Sequence, residues 1–273
     1  MSAVLEGAPA APAPRRALAR FARSAGRFAE RAAGIVLFLA LWEALPRLGI
    51  VSDAYLSPPS AVLASIGQLL DNGQLWKHVA ASLQRSLWGL VLASSAGVLL
   101  GLLIGGFRRL AAIVDPVLQL FRQTSAFALF PVFILFLGIG ELSKVAIIFW
   151  ASFWPVLLST VSGVKQVDRL LVNSALSMGA SRRFVFFKVV LPASLPSIFT
   201  GVRLAGAYSI TALVAAEMIG AHSGLGFLTL NSQETFQIPT MYAGILLLAV
   251  LGLLLNYLCL LYTSDAADEG LGV

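Results

Sequence analysis

The stretch Asn173–Pro192, NSALSMGASRRFVFFKVVLP, is a polar and basic island between two apolar segments, each long enough to cross a bilayer. Its residue order predicts helix, tight turn, helix. Val167–Met178 forms the first helix, with Leu171, Ala175 and Met178 among its apolar positions. Gly179 permits the left-handed conformation that ends a helix. Ser181 caps the next helix by accepting from its free N–H groups. Arg182–Val190 carries Phe184, Phe187 and Val190 on one side and Arg183 on another, and Leu191-Pro192 breaks it. A short, stiff knob of basic and aromatic residues suits a hydrophobic cleft in a partner, with the charges setting register.

The rest of the chain reads as a membrane protein. It has 273 residues, 58% hydrophobic and only 12% charged, with a mean hydropathy of +0.87. Soluble domains carry about 25% charged residues, so a water-soluble core cannot hide this much apolar surface. The single cysteine, Cys259, rules out an internal disulfide and reads as a small hydrophobe in an apolar run.

A transmembrane helix needs about 20 mostly apolar residues. Six segments meet that length: Ala32–Val51, Leu87–Phe107, Ala112–Leu137, Val145–Val164, Ile198–Ile219 and Met241–Tyr262. Pro46, Pro116 and Pro131 predict kinks in the first and third. Of the 19 lysines and arginines, thirteen fall in the N-terminal tail and the second and fourth connections, four on the other side and two, Arg122 and Arg203, within spans. By the positive-inside rule the thirteen are cytoplasmic, which places both termini inside. The first segment has the basic flank of a signal peptide, but Glu43 interrupts it and no small-x-small cleavage site comes after it, so it is read as a retained helix.

The chain divides into three regions: a disordered basic tail, 1–31, rich in Pro and Ala near its start; a transmembrane domain, 32–262; and a tail, 263–273. That last tail is acidic and small, with three carboxylates and no base on the side read as cytoplasmic, and it is assigned no function; whether the chain is native from about Cys259 onward stays open. The connection Ser52–Ser86 is long, with Ser57 or Ser60 capping an amphipathic stretch Ala61–Leu70 and a turn at Asp71-Asn72-Gly73. Gly138–Lys144 is a short hairpin, and Gly220–Thr240 folds over or dips into the membrane surface.

The order Asn173-Ser174-Ala175, three residues, Gly179-Ala180, then Leu191-Pro192 resembles the EAA loop of ABC importer permeases. The resemblance extends from about Ile35 to Asn256. It is most like the branch that imports aliphatic sulfonates, taurine, nitrate and related anions, through Ser82–Gly89 (SLQRSLWG), Gly138–Lys144 (GIGELSK), Ala215–Met218 (AAEM) and Gly224–Phe227 (GLGF). The family loop often begins with Glu where this chain has Asn173, which weakens any specific salt bridge there.

The resemblance implies an all-α integral membrane protein of the type I importer fold, with six transmembrane helices and a cytoplasmic coupling loop in the bacterial inner membrane. It implies ATPase coupling through Asn173, Ser174, Ala175, Gly179, Ala180, Arg182, Arg183, Leu191 and Pro192. The implied partners are two ATPase subunits, a periplasmic or lipid-anchored binding protein and a second copy of the chain. Selectivity in such importers resides largely in the binding protein, so sulfonate, taurine, nitrate and a thiamine-precursor pyrimidine all stay open.

Several residues carry two readings. Gly97, Gly101 and Gly105 line one helix face and serve close packing, either within the subunit or at a two-fold axis. Arg122, with Gln123, Thr124 and Ser125, is placed one to two turns in from the cytoplasmic side, where it either snorkels or faces a cavity and favours an anion. Glu217, near the outer end of its span, either pairs with a cation at an outer gate or sits at the interface. Arg203 braces a loop or snorkels.

His78 and His222 are isolated, without carboxylates or cysteines at ligand spacing, so no metal site is expected. No G-x-x-x-x-G-K-[ST] loop is present, so ATP and Mg belong to partner subunits and this chain holds no cofactor. No nucleophile-base set points to an enzyme, and nothing points to nucleic acid. The competing reading, an ion-coupled carrier or channel, requires a mid-membrane relay, whereas Glu43 and Glu217 lie near segment ends.

Overall fold

In the computed structural model the backbone is described for residues 33–270 and the side chains for 33–258. The expected tail 1–31 and the side chains from Cys259 onward lie outside these residues. The described chain is helical throughout, with turns between, and it divides into two compact units, Met1–Ala61 and Val62–Val273.

In the first unit, helix α1 (33–47) is held by the segment just after it. Trp42 Nε1 donates to the Ser57 carbonyl at 3.0 Å. The Glu43 carboxylate accepts from the Ser60 N–H at 3.1 Å and the Ser60 hydroxyl at 2.7 Å, and Arg47 pairs with it at 2.6 Å. Helix α2 (Pro59–Asp71) therefore opens earlier than the sequence suggested, and neither Ser57 nor Ser60 caps it. Pro59 pre-sets the first turn, and Glu43 satisfies a free N–H there, a favourable place for negative charge.

The second unit is built on three long helices, α3 (Gln74–Gly106), α6 (Glu141–Gln166) and α9 (Leu191–Gly220). Small residues let them approach closely. A Cβ added to Gly89, Gly97, Gly101 or Gly105 of α3 would stand within 3 Å of Ile148, Val156, Thr160 or Val164 of α6. Both series advance together, so α3 and α6 run parallel, and the glycine face packs within this chain. Helix α9 runs the other way: Gly163 meets Ser197, Gly201 meets Ser159, and the Ser152 hydroxyl reaches the Ala205 carbonyl at 3.3 Å. Without a hydrophobic force between helices in lipid, this close van der Waals fit is what drives them together.

Helix α3 starts thirteen residues before the expected span, at Gln74 rather than Leu87. Its 33 residues reach about 50 Å. The polar residues His78, Ser82 and Arg85 hid the extra turns from an apolar window, and all three are buried. Arg85 and Lys144, counted by sequence with the loops, lie inside α3 and α6.

The expected third span is two helices, α4 (Arg108–Arg122) and α5 (Ala126–Leu137), bent by 95° at their junction. Pro116 and Pro131 sit inside these helices, so the sharp bend falls at neither proline but at Gln123-Thr124-Ser125. Phe121 packs against Trp150 and Trp154 in the middle of α6. Measured along α6, Arg122 is therefore about four turns from the Gln166 end.

Helices α7 (Arg169–Ser177) and α8 (Arg182–Val185) make the hairpin. Leu191-Pro192 does not interrupt the helical path. One wide π turn, Phe186–Val190, joins α8 to α9 in a single 39-residue rod, Arg182–Gly220. The Leu191 N–H reaches back to the Phe186 carbonyl. Pro192 has no N–H to give and its ring crowds the preceding turn, and the widened turn accommodates both. Beyond α9, α10 (Leu225–Glu234) leads to α11 (Ile238–Gly270).

Among the described residues four helices are long and apolar enough to cross a membrane, or five when the bent pair counts as one.

Candidate coupling loop and buried polar network

The candidate coupling residues and the buried polar residues gather at opposite ends of the long helices. Helix α3 ends at Gly106, against Phe186 of the hairpin, and α9 begins beside it. The start of α3 and the end of α9 therefore lie together at the far end.

At the hairpin end, Asp168 caps α7 by accepting from the Leu170 N–H at 2.8 Å. Gly179 turns the chain with φ +84°, and Ser181 Oγ accepts from the Phe184 N–H at 3.3 Å. Only Ala175 and Val185 are buried. Leu170, Leu171, Met178, Phe184 and Phe187 stand exposed, with Asn173, Ser174, Arg182 and Arg183 among them. Leu171 and Met178 therefore face outward rather than supporting the hairpin. Beside it lies a groove of about 1060 Å³ between the first turns of α4 and α7–α8, with Arg108, Asp115, Asn173, Leu176 and Arg182 on its walls. An exposed apolar ridge bordered by fixed positive charge is what a partner protein's cleft would cover.

At the far end a buried carboxylate organises four segments. Glu217 is 0% exposed. It accepts from Ser82 Oγ at 2.8 and 2.9 Å, Arg85 Nη1 at 2.7 Å and the Gly226 N–H at 2.8 Å. Ser82 Oγ in turn accepts from the Leu225 N–H at 2.8 Å. Arg85 also donates to the Ser223 carbonyl at 2.6 Å and, through Nε and Nη2, to both oxygens of Glu141 at 2.5 and 2.8 Å. Lys144 completes the cluster on Glu141 at 3.0 Å. The four motifs SLQRSLWG, GIGELSK, AAEM and GLGF thus converge on one network. Each supplies what a buried charge needs, a partner and filled hydrogen-bond positions.

The glycines of GLGF are required by this packing. A Cβ on Gly224, at φ +124°, would collide with the Glu217 carboxyl group, and one on Gly226 would fall 2.9 Å from Glu217 Cβ. His78, read from sequence as isolated, accepts the Gly224 N–H on Nδ1 at 3.1 Å and stacks on Phe227 at 6.1 Å.

The sequence-predicted path residues do not share a site. Arg122 and Ser125 flank the α4–α5 break and are exposed. Glu217 is instead locked to Arg85. Arg203 donates from Nε to Asn256 Oδ1 at 3.2 Å, tying α9 to α11. Sequence reasoning missed Ser82 and Arg85 as partners of Glu217, and Glu141 as the second carboxylate on Arg85. Their one signal was that each lies in a family-like phrase.

Residues 97–263 match the family model described as binding-protein-dependent transport system inner membrane component. The taurine transport system permease protein TauC of Escherichia coli strain K12 is 35% identical over 227 residues, covering 81% of this chain and 82% of that protein. The putative aliphatic sulfonates transport permease protein SsuC of Bacillus subtilis strain 168 is 33% identical over 216 residues, 79% of this chain and 78% of its own length. Among solved structures, an inward-facing conformation of the MetNI methionine ABC transporter superimposes with a TM-score of 0.57 at 19% identity, over 74% of this chain and 97% of that one.

Proposed function

The chain belongs to the family of binding-protein-dependent transport system inner membrane components, and from that premise we propose that it carries a small organic anion of the taurine and alkanesulfonate class, coupled to ATP through the 173–192 hairpin. It is the permease subunit of an ABC importer and not itself an enzyme. ATPase subunits and a substrate-binding protein are its partners in general. The finer reading is a homodimer whose hairpins face the cytoplasm, with both termini on that side, and whose α3 start and α9 end face the binding protein.

In this reading two ATPase subunits, each with ATP and Mg, grip the two hairpins. Their closure moves the hairpins, and the rigid Arg182–Gly220 rod carries that motion across the membrane to the Glu217 network. ATP supplies the free-energy difference between inward-open and outward-open states. Arg122 and Ser125, at a broken helix, belong to the translocation path, since broken helices line substrate sites in transporters.

The observation that carries the proposal is the set of unburied apolar side chains on the hairpin, Leu170, Leu171, Met178, Phe184 and Phe187, framed by Arg182 and Arg183. The test is co-purification from detergent with the ATPase encoded nearest the gene, together with sulfonate uptake by the reconstituted complex. Wild type is expected to retain the ATPase and Arg183→Glu to lose it. Wild type that purifies folded and alone would overturn the coupling assignment.

A further inference from the structure

We infer that the polar cavity at the far end of α3 is a receiving site for a small tetrahedral oxyanion, a sulfonate if the chain imports alkanesulfonates, the reading on which this inference rests. The cavity has a volume of about 500 Å³ and lies between α2, the first turns of α3, the Ala221–Gly224 turn and α10. Binding pockets for small ligands fall in this size range. Of the fourteen described residues that line it, only Leu69, Phe227 and Leu228 are apolar, and none of the fourteen is acidic. Lys77, His78 and His222 supply the basic side chains, and amides such as Asn72 and Asn231 add further donors.

A cavity open to the end of a membrane protein and lined by bases without a carboxylate attracts anions. An apolar solute gains nothing from such a lining, whereas the three oxygens on one sulfonate sulfur can each accept from a separate donor there.

The most specific element is His78. Its side chain is buried, 7% exposed. The Gly224 N–H occupies Nδ1 as acceptor, and a neutral imidazole with Nδ1 accepting carries its proton on Nε2. The stacked Phe227 ring fixes the imidazole plane. His78 therefore stands at the cavity wall as an oriented N–H donor, and Lys77, one residue earlier on α3, adds full positive charge. Charge-assisted hydrogen bonds of this kind are about twice as strong as neutral ones.

The site also has a structural link to the Glu217 network. Gly224 gives its N–H to His78, and its neighbour Ser223 gives its carbonyl to Arg85. An anion on His78 therefore sits one residue from the turn that the network holds.

The experiment measures binding of radiolabelled ethanesulfonate to the full chain in lipid nanodiscs, without any binding protein. His78→Asn keeps an acceptor for Gly224 and removes the Nε2 donor. Lys77→Met removes the charge at an exposed position. Leu99→Ala, at an exposed position about six turns further along α3, is the control. One saturable class of binding is expected, at least ~10-fold weaker in each of the two cavity variants and unchanged in Leu99→Ala. Absence of saturable binding, or equal binding in wild type and both cavity variants, overturns the site. Uptake by the complete transporter is read separately. Uptake without nanodisc binding overturns the site and leaves the import proposal standing. Binding that the two variants abolish, without uptake, upholds the site and overturns sulfonate import.

Discussion

Arg85 Nη1 donates to Glu217 Oε1 at 2.7 Å across two antiparallel helices, with side-chain exposures of 4% and 0%. The pair is asymmetric. Arg85 has a second carboxylate in Glu141, which is 63% exposed, and a carbonyl in Ser223. Glu217 has no second cation among the described residues, only Ser82 and the Gly226 N–H.

That asymmetry orders three variants. Arg85→Leu leaves a buried carboxylate without its cation, and breaking a buried pair in this way costs about 3–5 kcal/mol. Glu217→Leu should cost less, because Arg85 keeps Glu141. Glu141→Gln removes a partner on the exposed side and should cost about 0–1 kcal/mol. Thermal unfolding of the three proteins in one detergent checks the order, and an Arg85→Leu protein as stable as Glu141→Gln would contradict it.

Two glycines with positive φ should behave differently. Gly224→Ala places a methyl on the Glu217 carboxylate in addition to the strain of φ +124°. At Gly179 nothing lies within 4 Å of an added Cβ, so only the backbone strain at φ +84° remains, about 1–2 kcal/mol. Gly224→Ala should therefore express poorly or aggregate, while Gly179→Ala should purify folded. Fluorescence-detected size-exclusion chromatography of the two distinguishes them.

The helical class, the hairpin and its Gly179 turn were legible because they depend on local order: apolar length, a glycine, and a serine cap. The Glu217 network was not, because Arg85 and Glu217 are 132 positions apart and nothing in an unaligned sequence says which faces meet. Buried polar residues were the main source of error. His78, Ser82 and Arg85 shortened the second span to Leu87–Phe107 although they lie inside α3. The polar cluster Arg122–Ser125 was noticed, but its meaning as a helix break was not, since the prolines offered a more conventional cause. Leu191-Pro192 failed as a stop signal because a wide turn accommodates a proline that a regular α-helix does not.

The in-phase contact of α3 and α6 predicts where bulk is fatal. Gly101→Leu drives a side chain into Thr160, whose Cβ would stand 2.6 Å from the new Cβ. Overpacking of this kind costs about 1–3 kcal/mol or more. Gly67, in α2, has nothing within 4 Å of an added Cβ, so Gly67→Ala should be neutral or stabilising by about 0.5–1 kcal/mol through helix propensity. Melting temperatures of the pair measured side by side test the packing; a Gly101→Leu protein that melts like wild type would show that α3 and α6 are not in van der Waals contact there.

Docking at the hairpin can be separated from folding through Met178. Its side chain is 81% exposed and sits just before the Gly179 turn, so it contributes little to the hairpin's own stability. Met178→Asp should change stability by no more than about 0.5 kcal/mol, the usual range for surface substitutions. In a partner's cleft the same change buries an unpaired carboxylate, which is costly without a cation or hydrogen bonds to receive it. Retention of the ATPase on the purified permease should therefore fall at least ~10-fold, a loss that corresponds to about 1.4 kcal/mol of binding free energy, while the melting temperature stays at the wild-type value. If ATPase retention survives Met178→Asp, the apolar ridge of the hairpin is not the docking face, and the contact would have to run through the neighbouring groove lined by Arg108, Asn173 and Arg182.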